Sequence, residues 1–137
     1  MNKIVKEFLK ANKNINFSIR GIRSFIYIVE SANLYKIGYA SDIEGRMTVI
    51  QTSSPHQVKL IYLIPLTVEI DHKKVEKALH KMFESCHVKG EWFDLSMRDI
   101  AKIKTLSLND LLIYADRMEK EKSIPENQIP LFPQEDE

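Results

Sequence analysis

Ser24-Phe25-Ile26-Tyr27-Ile28-Val29-Glu30 and, after a polar Ser31-Ala32-Asn33 break, Leu34-Tyr35-Lys36-Ile37-Gly38-Tyr39-Ala40 decide how this chain folds. Both runs are dense in aromatic and β-branched side chains, which suit a pleated, half-buried surface, and a short polar break between such runs signals a hairpin. Two antiparallel strands are expected. A third strand is expected over Val58 to Ile64, running to Pro65, and Gly90 to Leu95 (GEWFDL) reads as a short strand-like run in which Gly90 gives backbone freedom ahead of Trp92 and Phe93.

Helical signals lie around and between these runs. Ile4, Val5, Phe8 and Leu9 recur at helical spacing within Met1 to Ala11 and make one apolar stripe, as in a docking helix. Asn12 to Arg23, with its Asn, Ser and Gly punctuation, reads as a loop. Ser41 followed by Glu44 has the form of a capping box opening a helix through Arg46, Met47 and Ile50, ended by Ser53, Ser54 and Pro55. Asp71 is placed to cap a helix that buries Val75, Leu79, Met82 and Phe83 and turns Lys73, Lys74, Lys77 and Lys81 to water as a modest basic patch. Ser96 with Asp99, and Ser107 with Asp110, start two more helices, with Ile100, Ile103, Leu111, Leu112 and Met118 spaced for burial.

The chain has 137 residues, 44% of them hydrophobic and 28% charged, which is the length and composition of one soluble globular domain. It has no apolar run near the roughly 20 residues that a membrane span requires. Asn2, Lys3, Lys6 and Glu7 interrupt any signal-peptide core, which argues against secretion. The lone Cys86 cannot close an internal disulfide, so a reducing, cytoplasmic setting is expected. A net charge of +1 gives no global field, so any nucleic-acid surface has to be local. The organisation expected is an N-terminal helix and loop (1–23), a sheet-bearing domain (24–95), C-terminal helices (96–122) and a mobile tail (123–137). In that tail Pro125, Pro130 and Pro133 alternate with Glu, Gln and Asp and disfavour both helix and sheet.

Tyr27, Lys36, Arg46, Glu76 and His80 are the polar residues that such a fold can bring to one phosphodiester. Phosphoryl transfer asks for a hard cation on oxygen ligands, a positive group on the non-bridging oxygens and a base that orients water. The bland alternatives are a core tyrosine, a solvated Arg46 paired with Asp42, and a Glu76–His80 pair at i, i+4 that only supports its helix. His80, Cys86 and His87 fall short of a zinc set, since one cysteine has no CxxC partner.

In order and spacing these residues resemble the GIY-YIG nuclease superfamily, in the phage and bacterial branch that reads KIG for YIG and ends in GEWF. Phe25-Ile26-Tyr27 matches the first signature and Lys36-Ile37-Gly38 the second. Arg46 follows at the family spacing, then Glu76 with His80 in EKALH, and Gly90-Glu91-Trp92-Phe93 closes a match over Phe25 to Leu95. The resemblance implies an α+β fold, a small antiparallel three-stranded sheet flanked by helices, with the N- and C-terminal helices added to it. It implies a DNA endonuclease or nickase in which Glu76 holds Mg²⁺ or Mn²⁺, Arg46 stabilises phosphate charge and Tyr27 accepts a proton from water or positions it. Lys36 stands in the second tyrosine's place, and Ile50 stands where catalytic members often carry His or Tyr. His80, with an ordinary pKa near 6.5, is the substitute base.

The tail peptide Gln128-Ile129-Pro130-Leu131-Phe132 resembles the motif with which bacterial polymerases and repair proteins bind the DNA sliding clamp. In that resemblance Gln128 enters a polar site and Leu131 with Phe132 fills an apolar pocket, while Ile129 replaces the usual leucine. The alternative is that Ile129, Leu131 and Phe132 cover a groove on this same domain. The expected protein is thus a metal-dependent, clamp-recruited nuclease of a bacterium or its phage, with no membrane partner. Its rival from another class is a non-catalytic adaptor that holds DNA with Lys36, Arg46 and the face carrying Lys73, Lys77 and Lys81, or that interferes with clamp traffic.

Overall fold

A strand covered on both faces has no polar side, which is why the decisive run is nearly continuous in apolar residues. The computed structural model describes residues 2–13 and 21–122, and in it β1 (Ile22–Ser31) is that strand. Ile26, Tyr27, Ile28 and Val29 are each at most 1% exposed. Successive side chains point to opposite faces, so Ile26 and Ile28 enter one core and Tyr27 and Val29 another. The first core adds Val75 and Leu79 of α3 (His72–Met82), Ile100 and Ile103 of α4 (Met97–Thr105), and Leu111 and Ala115 of α5 (Leu108–Lys122). The second adds Ile4, Val5 and Phe8 of α1 (Lys3–Ala11) and Met47 and Ile50 of α2 (Ile43–Ser53). A sheet between two helical layers follows from that alternation.

β1 pairs antiparallel with β2 (Leu34–Ala40) on one side and β3 (Lys59–Thr67) on the other. The α+β class is as expected, but the sheet has five strands where three were expected, in the order β3-β1-β2-β5-β4. The additions are β4 (His87–Lys89) and β5 (Trp92–Phe93), a short ribbon on the edge of β2. All residues of β4 are exposed, so no apolar alternation marked it in the sequence. Strand β3 runs through Pro65 to Thr67 instead of ending at it, because an edge strand tolerates a residue without a donor on its open side. β1 starts at Ile22, inside the stretch read as loop.

The helix starts are local chemistry. Asn2 caps α1, accepting from the Ile4 and Val5 amides, and Asp71 caps α3. Ser96 with Asp99 and Ser107 with Asp110 form the expected reciprocal capping pairs. The α2 cap is Asp42, whose Oδ1 accepts from the Gly45 amide at 3.1 Å, and the Ser41–Glu44 box expected there is not formed. Glu44 instead accepts from the Asn2 amide at 2.8 Å, tying α1 to α2. No helix among the described residues is long and apolar enough to cross a membrane.

The β1–β2 hairpin closes through Ala32 and Asn33, both at positive φ (52° and 68°), the backbone of a type I′ turn. Asn accepts that conformation better than Ala, because its short polar side chain can hydrogen-bond to the nearby backbone and offset the Cβ clash that both residues share. Ala32→Asn is therefore expected to stabilise the protein by about 0.5–1 kcal/mol and raise its melting temperature by a few degrees. Thermal denaturation followed by circular dichroism checks this; an unchanged or lower midpoint contradicts the turn assignment.

Candidate active site

Tyr27 in β1 sits directly opposite Gly38 in β2, and the missing side chain there is occupied space. A Cβ on Gly38 would run into the Tyr27 hydroxyl, lie 2.6 Å from its Cζ and reach within 3.0 Å of Glu91 Oε1. Only glycine lets the phenol cross the neighbouring strand and meet Glu91. Glu91 arrives through the β4–β5 turn, where Gly90 adopts φ of 59°, and its carbonyl accepts from the Ile37 amide at 3.0 Å. That turn therefore grips β2 next to Gly38.

The carboxyl of Glu76, from α3, hydrogen-bonds that of Glu91. Two half-buried carboxylates that interact in this way resist being charged together, so one of them keeps its proton to a higher pH. Burial, then the hydrogen bond and charge of Glu91, push Glu76 up to about 7, against the pull of Lys36 and Arg46. Burial works upward on Glu91 as well, but hydrogen bonds from Glu76 and Lys36 outweigh it and hold that carboxyl below its ordinary value. Lys36 Nζ lies 3.1 Å from Glu91 Oε1 and 5.7 Å from the centre of the Trp92 ring.

Arg46, one turn into α2, donates from Nη1 to the Tyr27 hydroxyl across 3.5 Å. Burial raises the Tyr27 phenol; the Arg46 hydrogen bond and charge oppose this, and Glu91 and Glu76 reinforce it. The hydroxyl thus stays protonated at neutral pH. His80, expected as a substitute base, has its Nε2 2.9 Å from the Ile37 carbonyl and 3.8 Å from Glu76 Oε2, with its ring edge-on to Phe93. A carbonyl only accepts, so Nε2 carries a proton and that nitrogen is a donor, not a base.

The structure thus gathers Tyr27, Lys36, Arg46, Glu76 and His80 around one point. The lysines of α3 are elsewhere. Lys77 and Lys81 line a cavity of about 500 Å³ with Glu119 and Glu121 of α5. Lys81 bonds Glu84 at 2.7 Å, and Lys74 bonds Asp116 at 3.0 Å. Lys73 is exposed at the start of the helix. The basic patch read from the sequence is a mixed-charge surface, because Asp116 and Glu119 of α5 pair with Lys74, and Glu84, just past α3, pairs with Lys81. The residue without an assigned role was Glu91; its signal was a lone acid between Gly90 and Trp92. Gln128, Ile129, Leu131 and Phe132 lie outside the described residues.

Among the described residues no group of three or more His, Cys, Asp or Glu is arranged to hold a metal, and the acids this site offers are two, Glu76 and Glu91. They fit a magnesium-like ion, which uses one or two carboxylates and takes its other ligands from water and substrate phosphate. Lys36 and Arg46 also line a groove of about 790 Å³ with His56, Lys89 and Trp92.

The family model of the T5orf172 domain matches residues 24–106, more than half of the chain, and the protein belongs to that family. The match runs from within β1 to just past α4 and so takes in every residue of the site. No curated protein and no solved structure matched the chain.

Glu76 titrates near 7 when folded and near its ordinary value when unfolded. Between those values the folded state binds the extra proton, so this group favours folding at low pH and its contribution is lost as pH rises through about 7. Glu76→Gln, which keeps the hydrogen bond without the charge, is expected to exceed the wild type in stability at pH 8 by about 1 kcal/mol after screening, and to lose most of that advantage near pH 5. Denaturant melts at both pH values check it; an advantage that is larger at low pH contradicts the retained proton.

Proposed function

We propose that this protein is a metal-dependent endonuclease or nickase of the GIY-YIG type acting on DNA, brought to its substrate by a sliding clamp. The observation that carries this reading is the half-buried Glu76–Glu91 carboxyl pair set between Lys36 and Arg46. A divalent cation bound between the two acids would take the place of the proton that the pair retains. The signatures ending in Tyr27 and Gly38 support the family assignment, and the tail peptide supports the clamp. That peptide lies outside the described residues, so its part rests on sequence.

Glu76 and Glu91 would hold Mg²⁺ or Mn²⁺, which supplies Lewis-acid stabilisation of phosphate charge when bound. Arg46 carries a fixed positive charge beside the carboxylates and so suits the non-bridging oxygens of the scissile phosphate. Tyr27, protonated and linked to Arg46, acts as a hydrogen-bonding group that orients the attacking water; its raised pKa argues against a phenolate base. Lys36 is held by Glu91 and releases its charge to substrate once the carboxylates are otherwise engaged. His80 fixes α3 against the Ile37 carbonyl and so positions Glu76 one turn earlier.

Supercoiled plasmid incubated with Mg²⁺ or Mn²⁺ tests this. Nicking is expected from the wild type, with a loss of roughly 100-fold or more in Glu76→Gln, Glu91→Gln and Arg46→Ala, and a smaller loss in Tyr27→Phe. A loaded bacterial clamp should accelerate nicking, and Gln128→Ala with Leu131→Ala and Phe132→Ala should remove that acceleration alone. Cleavage that survives the carboxylate substitutions overturns the site; no cleavage by any form assigns the protein to the non-catalytic adaptor class.

A further inference from the structure

We propose that the groove beside the carboxylate pair seats an unpaired strand of DNA, with a base stacked on Trp92 and the backbone held by Lys89, Lys36 and Arg46. This deepens the reading of the site as one of DNA chemistry, and it rests on that reading for the identity of the strand. Lys36 and Arg46 belong both to the groove and to the catalytic group, so a strand lying in the groove runs straight to the carboxylates.

Charge is the first argument. Among the described residues that line the groove are Lys36, Arg46, Lys89 and His56, and no carboxylate. A concave surface with cations and no acid concentrates a polyanion. Elsewhere, the cavity between α3 and α5 mixes its lysines with three glutamates and offers no such field.

Apolar surface selects among polyanions. Val49 is 62% exposed and Val88 51% exposed, and both line this groove together with Trp92. A duplex turns its phosphates outward and keeps its bases stacked, so it gives these side chains nothing to cover. An unpaired strand brings flat base faces to an aromatic ring while its backbone follows the cations, the combination found in single-strand grooves. Trp92 is suited to be the platform because the ladder holds it rigidly: it pairs with Lys36 in β2 and with Lys89 in β4. The implied substrates are flaps, bubbles and other sites where one strand is free.

Trp92 is the chain's single tryptophan, so its fluorescence reports stacking without interference. The test titrates the full chain, in EDTA so that nothing is cut, with oligo-dT of roughly 12 nucleotides and with a duplex of equal length. Saturable quenching by oligo-dT is expected, at an affinity roughly tenfold above that of the duplex and falling steeply with salt. Lys89→Glu and Val88→Asp, both on the exposed ribbon, should each weaken oligo-dT binding about fivefold without moving the melting temperature. Trp92→Phe, read by anisotropy of labelled oligo-dT, should retain most of the affinity, and Trp92→Ala should lose it. Equal or tighter duplex binding, binding without quenching, or indifference to Lys89→Glu overturns the proposal, and tighter binding of an oligo-rU overturns the assignment to DNA. Because binding is read without cleavage, nicking with no single-strand preference would remove this inference alone, and single-strand binding without nicking would remove the nuclease reading alone.

Discussion

The close approach at Gly38 is the constraint on which the rest depends. The Tyr27 ring crosses the space that a side chain on β2 would fill, and its hydroxyl comes to the place where Glu91 and Arg46 also arrive. Residues from β1, β2, α2, α3 and the β4–β5 turn meet there only because one strand position carries no Cβ. The sheet supplies rigidity to this meeting: Tyr27 is fully buried and paired on both sides. A site built on strands holds its geometry better than one built on loops.

The carboxyl pair is the costly part of the arrangement. Two acids placed within hydrogen-bond range, half removed from water, oppose folding once the retained proton is lost, and Lys36 offsets that only in part. Nothing in the packing of the two cores requires it, since both are complete without Glu76 or Glu91. A perturbed acid pair flanked by cations is one of the patterns found at sites of chemistry, and it supports the proposed reading of this one. On the proposed reading, the groove lined by Lys36 and Arg46 gives the pair an approach route of the right sign.

Much of this was legible in the sequence. The aromatic and β-branched run through Ile26 to Val29 declared a hairpin strand, though its burial on both faces came only with the structure, and Ser96, Ser107 and Asp71 declared three helix starts by short-range chemistry that needs no tertiary context. Tyr27, Arg46, Glu76 and His80 were singled out by order and spacing, and they do converge. The β4 strand was not legible because its side chains all face solvent, and Pro65 misled because its tolerance depends on β3 being an edge. Ser41 was read as the cap of α2, whereas Asp42 takes that place and Glu44 turns to the Asn2 amide. The pairing of Glu91 with Glu76, and of the α3 lysines with α5, are products of tertiary packing with no local trace.

The most direct test of the convergence at Gly38 is a carboxyl ¹³C NMR titration of Glu76 and Glu91 in the wild type and in Gly38→Ala. In the wild type Glu76 should titrate near 7 and Glu91 below its ordinary value, each sensing the other's proton. In Gly38→Ala, displacement of the Tyr27 ring and Glu91 should return Glu76 toward an ordinary carboxylate while the protein stays folded. Two independent, ordinary titrations in the wild type, or an unchanged Glu76 in Gly38→Ala, would contradict the account.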